Sequence, residues 1–551
     1  MTTPASSSLA SPTRFLLVLG CFVLSGSAGL MYETAWTQEF ALVFGTSDLA
    51  VSAVLAAYMA GLMVGARLAE SLLPRVRRPL RAYAVLELLI AAAALAVPPA
   101  IGLSRHLYVA LFSTPQLTEF QGTGAAVFYL LTAFLALLLP TAMMGATLPL
   151  LVRYAVGRDA EIGRRVGLLY GANTLGAAAG TLITAFVLLP RLGLDRTVWV
   201  AIGVNLTVFA LAILLARTSG DGSAAAGDAD GVAAAPAREG VDGARIVLPI
   251  MLVSGAVAFG WEVLWTRLLS HLLGGSVYAF GLMLATFLTG LALGAWIASR
   301  LAHSARRAGA AFALAQLGIA LSSWIAFALA DALPGWLAGR SALELGWASA
   351  VAAVTLLPGA VFMGATFPLA VRLLARHPDE AASVSARVYV WNTCGTIFGA
   401  VGTGFVLLPT LRFAGTATLL VVVGTLLAAL AAWRLSEALG MRRATYALVA
   451  AALIAVVVRP PAPPWSLLRT APLSGQIAQG EVTFYAVGRS STVLLTEEPP
   501  GWRLTNNGLP ESMIQPPASL GHPLTVARWL SMLPIVSRPA AESMLIVGLG
   551  G

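Results

Sequence analysis

The chain has 551 residues, of which 58% are hydrophobic and 11% charged, with 34 Lys and Arg against 25 Asp and Glu. No soluble domain of this length carries so little charge, so the composition is that of a membrane protein. The excess of basic residues is not a nucleic-acid footprint either, because its positions follow the membrane, and no nucleic-acid partner is expected.

In chain order, apolar runs long enough to cross ~30 Å of hydrocarbon begin near Phe15, Leu49, Ala82, Gly122, Val166, Thr197, Ile246, Leu272, Ala308, Leu345, Val388 and Phe413. The Ala82 run carries Glu87, and the Ile246 run continues past Glu262. Twelve spans follow, with Ala444 to Val458 as a short thirteenth. No small-residue cleavage pattern follows the first run, so it reads as a retained helix. With a cytoplasmic N-terminus, the inner loops hold Arg75, Arg77, Arg78 and Arg81; Arg153, Arg158, Arg164 and Arg165; Arg300, Arg306 and Arg307; Arg372, Arg376 and Arg387; and Arg434, Arg442 and Arg443. The outer loops hold a scatter such as Arg105, Arg191, Arg196, Arg340 and Arg412. This asymmetry sets the orientation of a multi-pass protein. Cys21 and Cys394 lie in apolar runs and suggest neither a disulfide nor a metal site.

The membrane part repeats itself. "YETAWT" from Tyr32 recurs as "WEVLWT" from Trp261, an offset of 229 that also matches "GLMVG" at Gly61 with "GLALG" at Gly290. "MGATLP" from Met144 recurs as "MGATFP" from Met363, an offset of 219. That second offset also matches "NTLG" at Asn173 with "NTCG" at Asn392, and "FVLLP" ending at Pro190 with "FVLLP" ending at Pro409. Six spans per half place the halves in the same orientation, the parallel arrangement of major-facilitator transporters, whose sites lie near mid-membrane between the halves. The expected organisation is a first six-helix repeat (1–216), a flexible linker (217–245), a second repeat (246–434), an extra helix with a Pro-rich linker (435–475), and a tail (476–551).

Glu33 and Glu262 are the leading site residues, because a carboxylate on a membrane helix is costly and marks a cavity or a partner. Each is followed three residues later by a tryptophan, Trp36 and Trp265. Paired carboxylates backed by aromatic rings suit an organic cation, such as a polyamine or other small amine. The alternative is structural, with each Glu near the outer interface, bonded to helix backbone, and each Trp in the aromatic belt. Asn173 and Asn392 are either ligand groups or interhelical hydrogen-bond donors. The Gly61/Gly65 and Gly290/Gly294 pairs read as helix–helix contacts.

From Arg459 the composition changes. "RPPAPPW" breaks any helix. "EVTFYAV" and "STVLLTE" read as strands around the turn at Gly488, "WRLTNNG" as a third strand with a hairpin turn at Asn507-Gly508, and "PLTVARWLSMLP" as mostly helical. The last eight residues, "MLIVGLGG", read as a strand entering a Rossmann-type glycine turn at Gly548, Gly550 and Gly551.

The paired "YE…W" and "GATLP"-type blocks, with "FYAVGRSSTVLLTE", "NGLPES" and "MLIVGLGG", resemble bacterial fused proteins with a major-facilitator-like part ahead of a spermidine-synthase-like (polyamine aminopropyltransferase) part. The resemblance implies a mainly α, polytopic helical bundle followed by a small β-meander and the first strand of a Rossmann-like domain. It implies the bacterial inner membrane as location, and a decarboxylated S-adenosylmethionine-type donor as co-substrate at the glycine turn. In that family the acidic and catalytic residues follow the turn, so the chain reads as C-terminally truncated and holds no catalytic, metal or cofactor residues beyond those glycines. It also departs from the soluble aminopropyltransferases. Ser491-Thr492 replaces an expected glutamine, Asn507-Gly508 replaces Asp-Gly, the Asp-Glu and Tyr-His-Glu signature is absent around Ile514 to His522, and Leu549 takes the place of a glycine. Three functions follow as alternatives: a membrane-integral aminopropyltransferase-like enzyme, a carrier of an amine or other small solute with a non-catalytic tail, and a scaffold.

Overall fold

Long apolar segments form helices because hydrocarbon offers no partner to backbone N–H and C=O groups, and a helix satisfies them internally. In a computed structural model, residues 12–44, 48–112, 123–218, 244–337, 345–436, 439–472, 477–489, 491–499, 501–514, 526–538 and 543 are described. The first half comprises α1 (Pro12–Phe44), α2 (Asp48–Leu72), α3 (Pro79–Ala94), α4 (Val97–Phe112), α5 (Thr123–Ala155), α6 (Ile162–Ile183) and α7 (Leu189–Thr218). The second comprises α8 (Val247–Leu273), α9 (Val277–Leu301), α10 (Ala305–Leu329), the short α11 (Leu333–Leu337), α12 (Leu345–Leu374), α13 (Ala381–Gly402) and α14 (Leu408–Leu435).

Ten helical runs among the described residues are long and apolar enough to cross a membrane. Two of them, Asp159–Thr218 and Pro378–Leu435, are about double length. Each is broken at one non-helical residue, Gly193 (φ 75°) and Arg412 (φ 56°). On either side of the breaks the helices take different neighbours, α6 lying against α1 and α9, and α7 against α1 and α3. Each double run therefore divides at its break into two helices, so the ten runs hold twelve long apolar helical segments among the described residues. A π-helical turn precedes each break, at Thr184–Leu188 and Thr403–Leu407. The proline that follows each turn lacks an N–H, and the widened turn absorbs the missing rung.

The halves repeat in three dimensions. α1 packs on α6 as α8 packs on α13, α2 on α5 as α9 on α12, and α3 on α7 as α10 on α14. The match extends to single atoms: a Cβ on Gly26 would lie 2.1 Å from the Asn173 carbonyl oxygen, and one on Gly255 would lie 2.3 Å from that of Asn392. The halves meet along two seams, α2 on α13 and α6 on α9. At the arginine-rich end, ion pairs tie half to half. Arg372 holds Asp159 with both guanidinium nitrogens at 3.0 Å, and Arg387 reaches Glu70 at 3.1 Å.

The predicted extra helix forms as α15 (Leu439–Val458), packed on α14 and α10. A short turn, α16 (Trp465–Leu468), leads to an antiparallel meander of β1 (Glu481–Val487), β2 (Thr492–Glu498), β3 (Gly501–Asn506) and β4 (Leu509–Ile514), ordered β1-β2-β3-β4. The β3–β4 turn holds Asn507 at φ 49° and Gly508 at φ 79°, the left-handed pair of a type I′ hairpin. β4 is a strand that sequence reasoning left out. Helix α17 (Val526–Ser537) follows. The meander is seated on the bundle end where α8 finishes and α14 begins: Arg267 Nη2 donates to the Gly488 carbonyl at 2.9 Å, and the Arg412 guanidinium lies 5.2 Å from the centre of the Tyr485 ring. Leu467, Leu468, Val487 and Leu494 join one apolar cluster with Leu268, Leu272 and Phe413. The linker from 219 to 243 and the final "MLIVGLGG" lie outside the described residues.

Candidate functional site: a cavity between the halves

Eight helices, four from each half, enclose a cavity of about 250 Å³. α1, α2, α5 and α6 close it from one side, and α8, α9, α12 and α13 from the other. Glu33, Asn173, Glu262 and Asn392 all line it, so the two repeated carboxylates and the two repeated amides converge at one place. Glu33 is 9% exposed, and Glu262 Oε2 is buried with no hydrogen-bond partner. No cation pairs with either carboxylate among the described residues.

Around them stands an aromatic wall of Tyr58, Tyr170, Phe287, Phe367 and Tyr389. Tyr170 stacks on Phe367 at 4.7 Å between ring centres, and Phe367 meets Tyr389 edge-on at 6.4 Å. The Tyr58 hydroxyl donates to the Gly29 carbonyl at 3.0 Å, which fixes its ring across the cavity from α1. Two carboxyl groups on an apolar, aromatic lining can, when ionised, hold a compact cation by charge and by its attraction to ring faces. The tyrosines were missed in the sequence, although Tyr170 and Tyr389 stand three residues before the repeated asparagines, at the same offset of 219.

Trp36 and Trp265 do not line the cavity, a correction to the sequence reading. Trp36 is fully buried, stacked on Tyr32 at 4.8 Å, and Trp265 packs against Phe327 at 6.4 Å. Three residues along a helix leave two side chains about 60° apart in direction, enough for the ring to face the bundle core while the carboxylate faces the cavity. Both carboxylates lie within their helices, α1 and α8, and line the cavity. Asn173 makes an interhelical contact, its Nδ2 donating to the Phe22 carbonyl of α1 at 3.4 Å, and the residue also lines the cavity. Gly548, Gly550 and Gly551 lie outside the described residues. Among the described residues, no group of three or more His, Cys, Asp or Glu is placed to hold a metal ion.

No protein-family model matches the chain. The polyamine aminopropyltransferase of Mycobacterium tuberculosis is 32% identical over 194 residues, covering 34% of this chain and 34% of that protein. The polyamine aminopropyltransferase of Corynebacterium efficiens is 32% identical over 197 residues, covering 35% and 34%. The chain thus spans about a third of the length of the curated relatives it matches. The crystal structure of the human organic anion transporter MFSD10 covers 79% of this chain and 99% of its own, at 13% identity and a TM-score of 0.41.

Proposed function

We propose that the membrane part binds and carries a small organic amine in the cavity between its halves, with Glu33 and Glu262 as counter-ions. The observation that carries this reading is that repeat-related carboxylates, one from each half, face one aromatic cavity without a cation of their own. A cation bridging them pulls the halves together on that side, as an alternating-access carrier requires. The arginine-rich loops support a cytoplasmic N-terminus in a bacterial inner membrane. The test is calorimetric binding of spermidine and putrescine to purified protein. Glu33→Gln and Glu262→Gln should each weaken binding about tenfold or more, the ~1.5–3 kcal/mol of a charge-assisted contact. Unchanged affinity in the double variant would leave the carboxylates a structural role only.

A second reading is a membrane-integral aminopropyltransferase-like protein of polyamine metabolism, using an S-adenosyl-type donor at Gly548, Gly550 and Gly551. The 32% identity to proteins of that name favours it. Both readings share the amine as ligand. They separate when the protein is given decarboxylated S-adenosylmethionine and putrescine: appearance of spermidine supports the enzyme, and binding without turnover supports the carrier.

A further inference from the structure

Glu87 is a third membrane carboxylate, and the cavity does not contain it. It lies on α3, wholly buried, and accepts from Ser25 Oγ of α1 at 2.6 Å and from Asn205 Nδ2 of α7 at 2.5 Å. Cys21 and Tyr32 of α1 and Tyr83 of its own helix are its remaining polar neighbours. The helices α4 and α5 bring no acid or base to it, and no cation pairs with it among the described residues. Ser25, one of its two hydrogen-bond partners, also lines the central cavity.

The repeat supplies an internal comparison. At the offset of 229, Ser25 corresponds to Ser254 and Glu87 to Gln316. The second half makes the same contact with a neutral amide: Ser254 Oγ donates to Gln316 Oε1 at 3.1 Å, while Gln316 Nε2 lies 3.0 Å from Ser254 Oγ. Ser254 lines the cavity as Ser25 does. The architecture therefore does not need a charge at this position. Only the first half adds Asn205, where the second has Gly424 at the other offset of 219. Asn205 Oδ1 is buried without a donor, a loss of about 1–3 kcal/mol for an orphaned acceptor. An unpaired carboxylate within the hydrocarbon is costlier still. A proton on Glu87 removes the charge penalty, and with the amide turned end for end Oδ1 accepts the carboxyl O–H while Nδ2 takes over the unpartnered place.

We propose that Glu87 is a proton-carrying site joined to the cavity through Ser25, so that an entering amine cation displaces its proton. The exchange with an amine rests on the cation-binding reading of the cavity; the bound proton does not. In the step, the Glu87 carboxyl O–H turns to Ser25. Ser25 Oγ accepts that proton as its own hydroxyl proton passes to water in the cavity. A carboxylate remains at Glu87, one proton leaves, and the arriving cation restores the charge.

Infrared difference spectroscopy of the reconstituted protein tests it. At neutral pH the carbonyl band of a protonated carboxyl should be present, should vanish in Glu87→Gln, and should persist in Ser25→Ala. Glu87→Gln is expected to fold, since glutamine occupies the equivalent place in the second half. On addition of spermidine, a pH-indicator dye should report proton release by the wild type, none by Glu87→Gln, and delayed release by Ser25→Ala. Identical carboxyl bands in wild type and Glu87→Gln would overturn the proton site. Undiminished proton release by Glu87→Gln would overturn the coupling. If wild type binds no amine, the cavity reading fails, and the band alone still decides whether Glu87 holds a proton.

Discussion

Gly20 and Gly26 stand six residues apart on α1 and face different surroundings. A Cβ on Gly20 meets nothing within 4 Å, whereas on Gly26 it would be driven into the Asn173 backbone. Gly20→Ala should therefore be neutral or gain up to ~1 kcal/mol from helix propensity. Gly26→Ala should cost about 1–3 kcal/mol as α1 and α6 are forced apart. Melting of the detergent-purified variants checks the contrast, and a larger loss in Gly20→Ala would refute the packing account. Residues of this kind were legible only through the repeat. Gly61/Gly65 and Gly290/Gly294 read as contact pairs, and Gly65 and Gly294 do face the backbone of α5 and α12. Glu33, Glu262, Asn173 and Asn392 were legible because a polar group recurring in an apolar repeat stands out. The tryptophans were misplaced because spacing along a helix fixes direction only to within tens of degrees. The tyrosines were passed over because one Tyr among apolar residues carries no contrast.

At the scale of elements, the tail is held by few but well-placed contacts. Tyr485 on β1 lies between Trp465, 5.1 Å away edge-on, and the Arg412 guanidinium. Burial pushes its phenol from 10.0 up to about 12. Because the folded value lies above the unfolded one, the neutral phenol's contribution to docking is complete below about pH 10 and is lost as pH rises through about 12. Tyr485→Phe, which cannot ionise, should match wild type in melting at about pH 8 and outlast it at about pH 11. Equal melting at both values would remove Tyr485 from the docking contact. Strands β1 to β3 and the turn at Asn507-Gly508 were legible from β-branched runs and turn residues. β4 was not, because Pro510, Glu511 and Ser512 are neither β-branched nor aromatic and the strand pairs with β3 alone and is half-exposed. The breaks at Gly193 and Arg412 fall where the sequence already separates two runs, those beginning near Val166 and Thr197 and those beginning near Val388 and Phe413, and the repeated "FVLLP" marks the π-helical turn before each.

At the scale of the whole molecule, α15 decides where the tail resides. The sequence gives it 15 residues, ~22 Å of helix, short for ~30 Å of hydrocarbon unless the flanking arginines extend it. The structure lengthens it to 20 residues, about 30 Å. Its two ends are fixed by α10. Leu435, just before α15, packs against Gly309 at the beginning of α10, and the Ser466 N–H, just after it, donates to Asp331 beyond the end of α10. The chain between them therefore runs the full length of a spanning helix, from the arginine-rich end to the opposite one. Arg442 and Arg443 stand at its start and Arg459 at its finish, where their stems can reach the two interfaces. If the arginine-rich end is cytoplasmic, the meander faces away from the cytoplasm. S-adenosyl donors are made in the cytoplasm, so this placement favours the amine carrier over aminopropyl transfer. In a bacterial host, a periplasmic reporter fused after Arg459 should be active and a cytoplasmic one silent. The same fusions made after Arg434 should give the reverse, which shows that α15 itself performs the crossing. Cytoplasmic activity at both positions would mean that α15 turns back without crossing, and would return the S-adenosyl-dependent reading to first place.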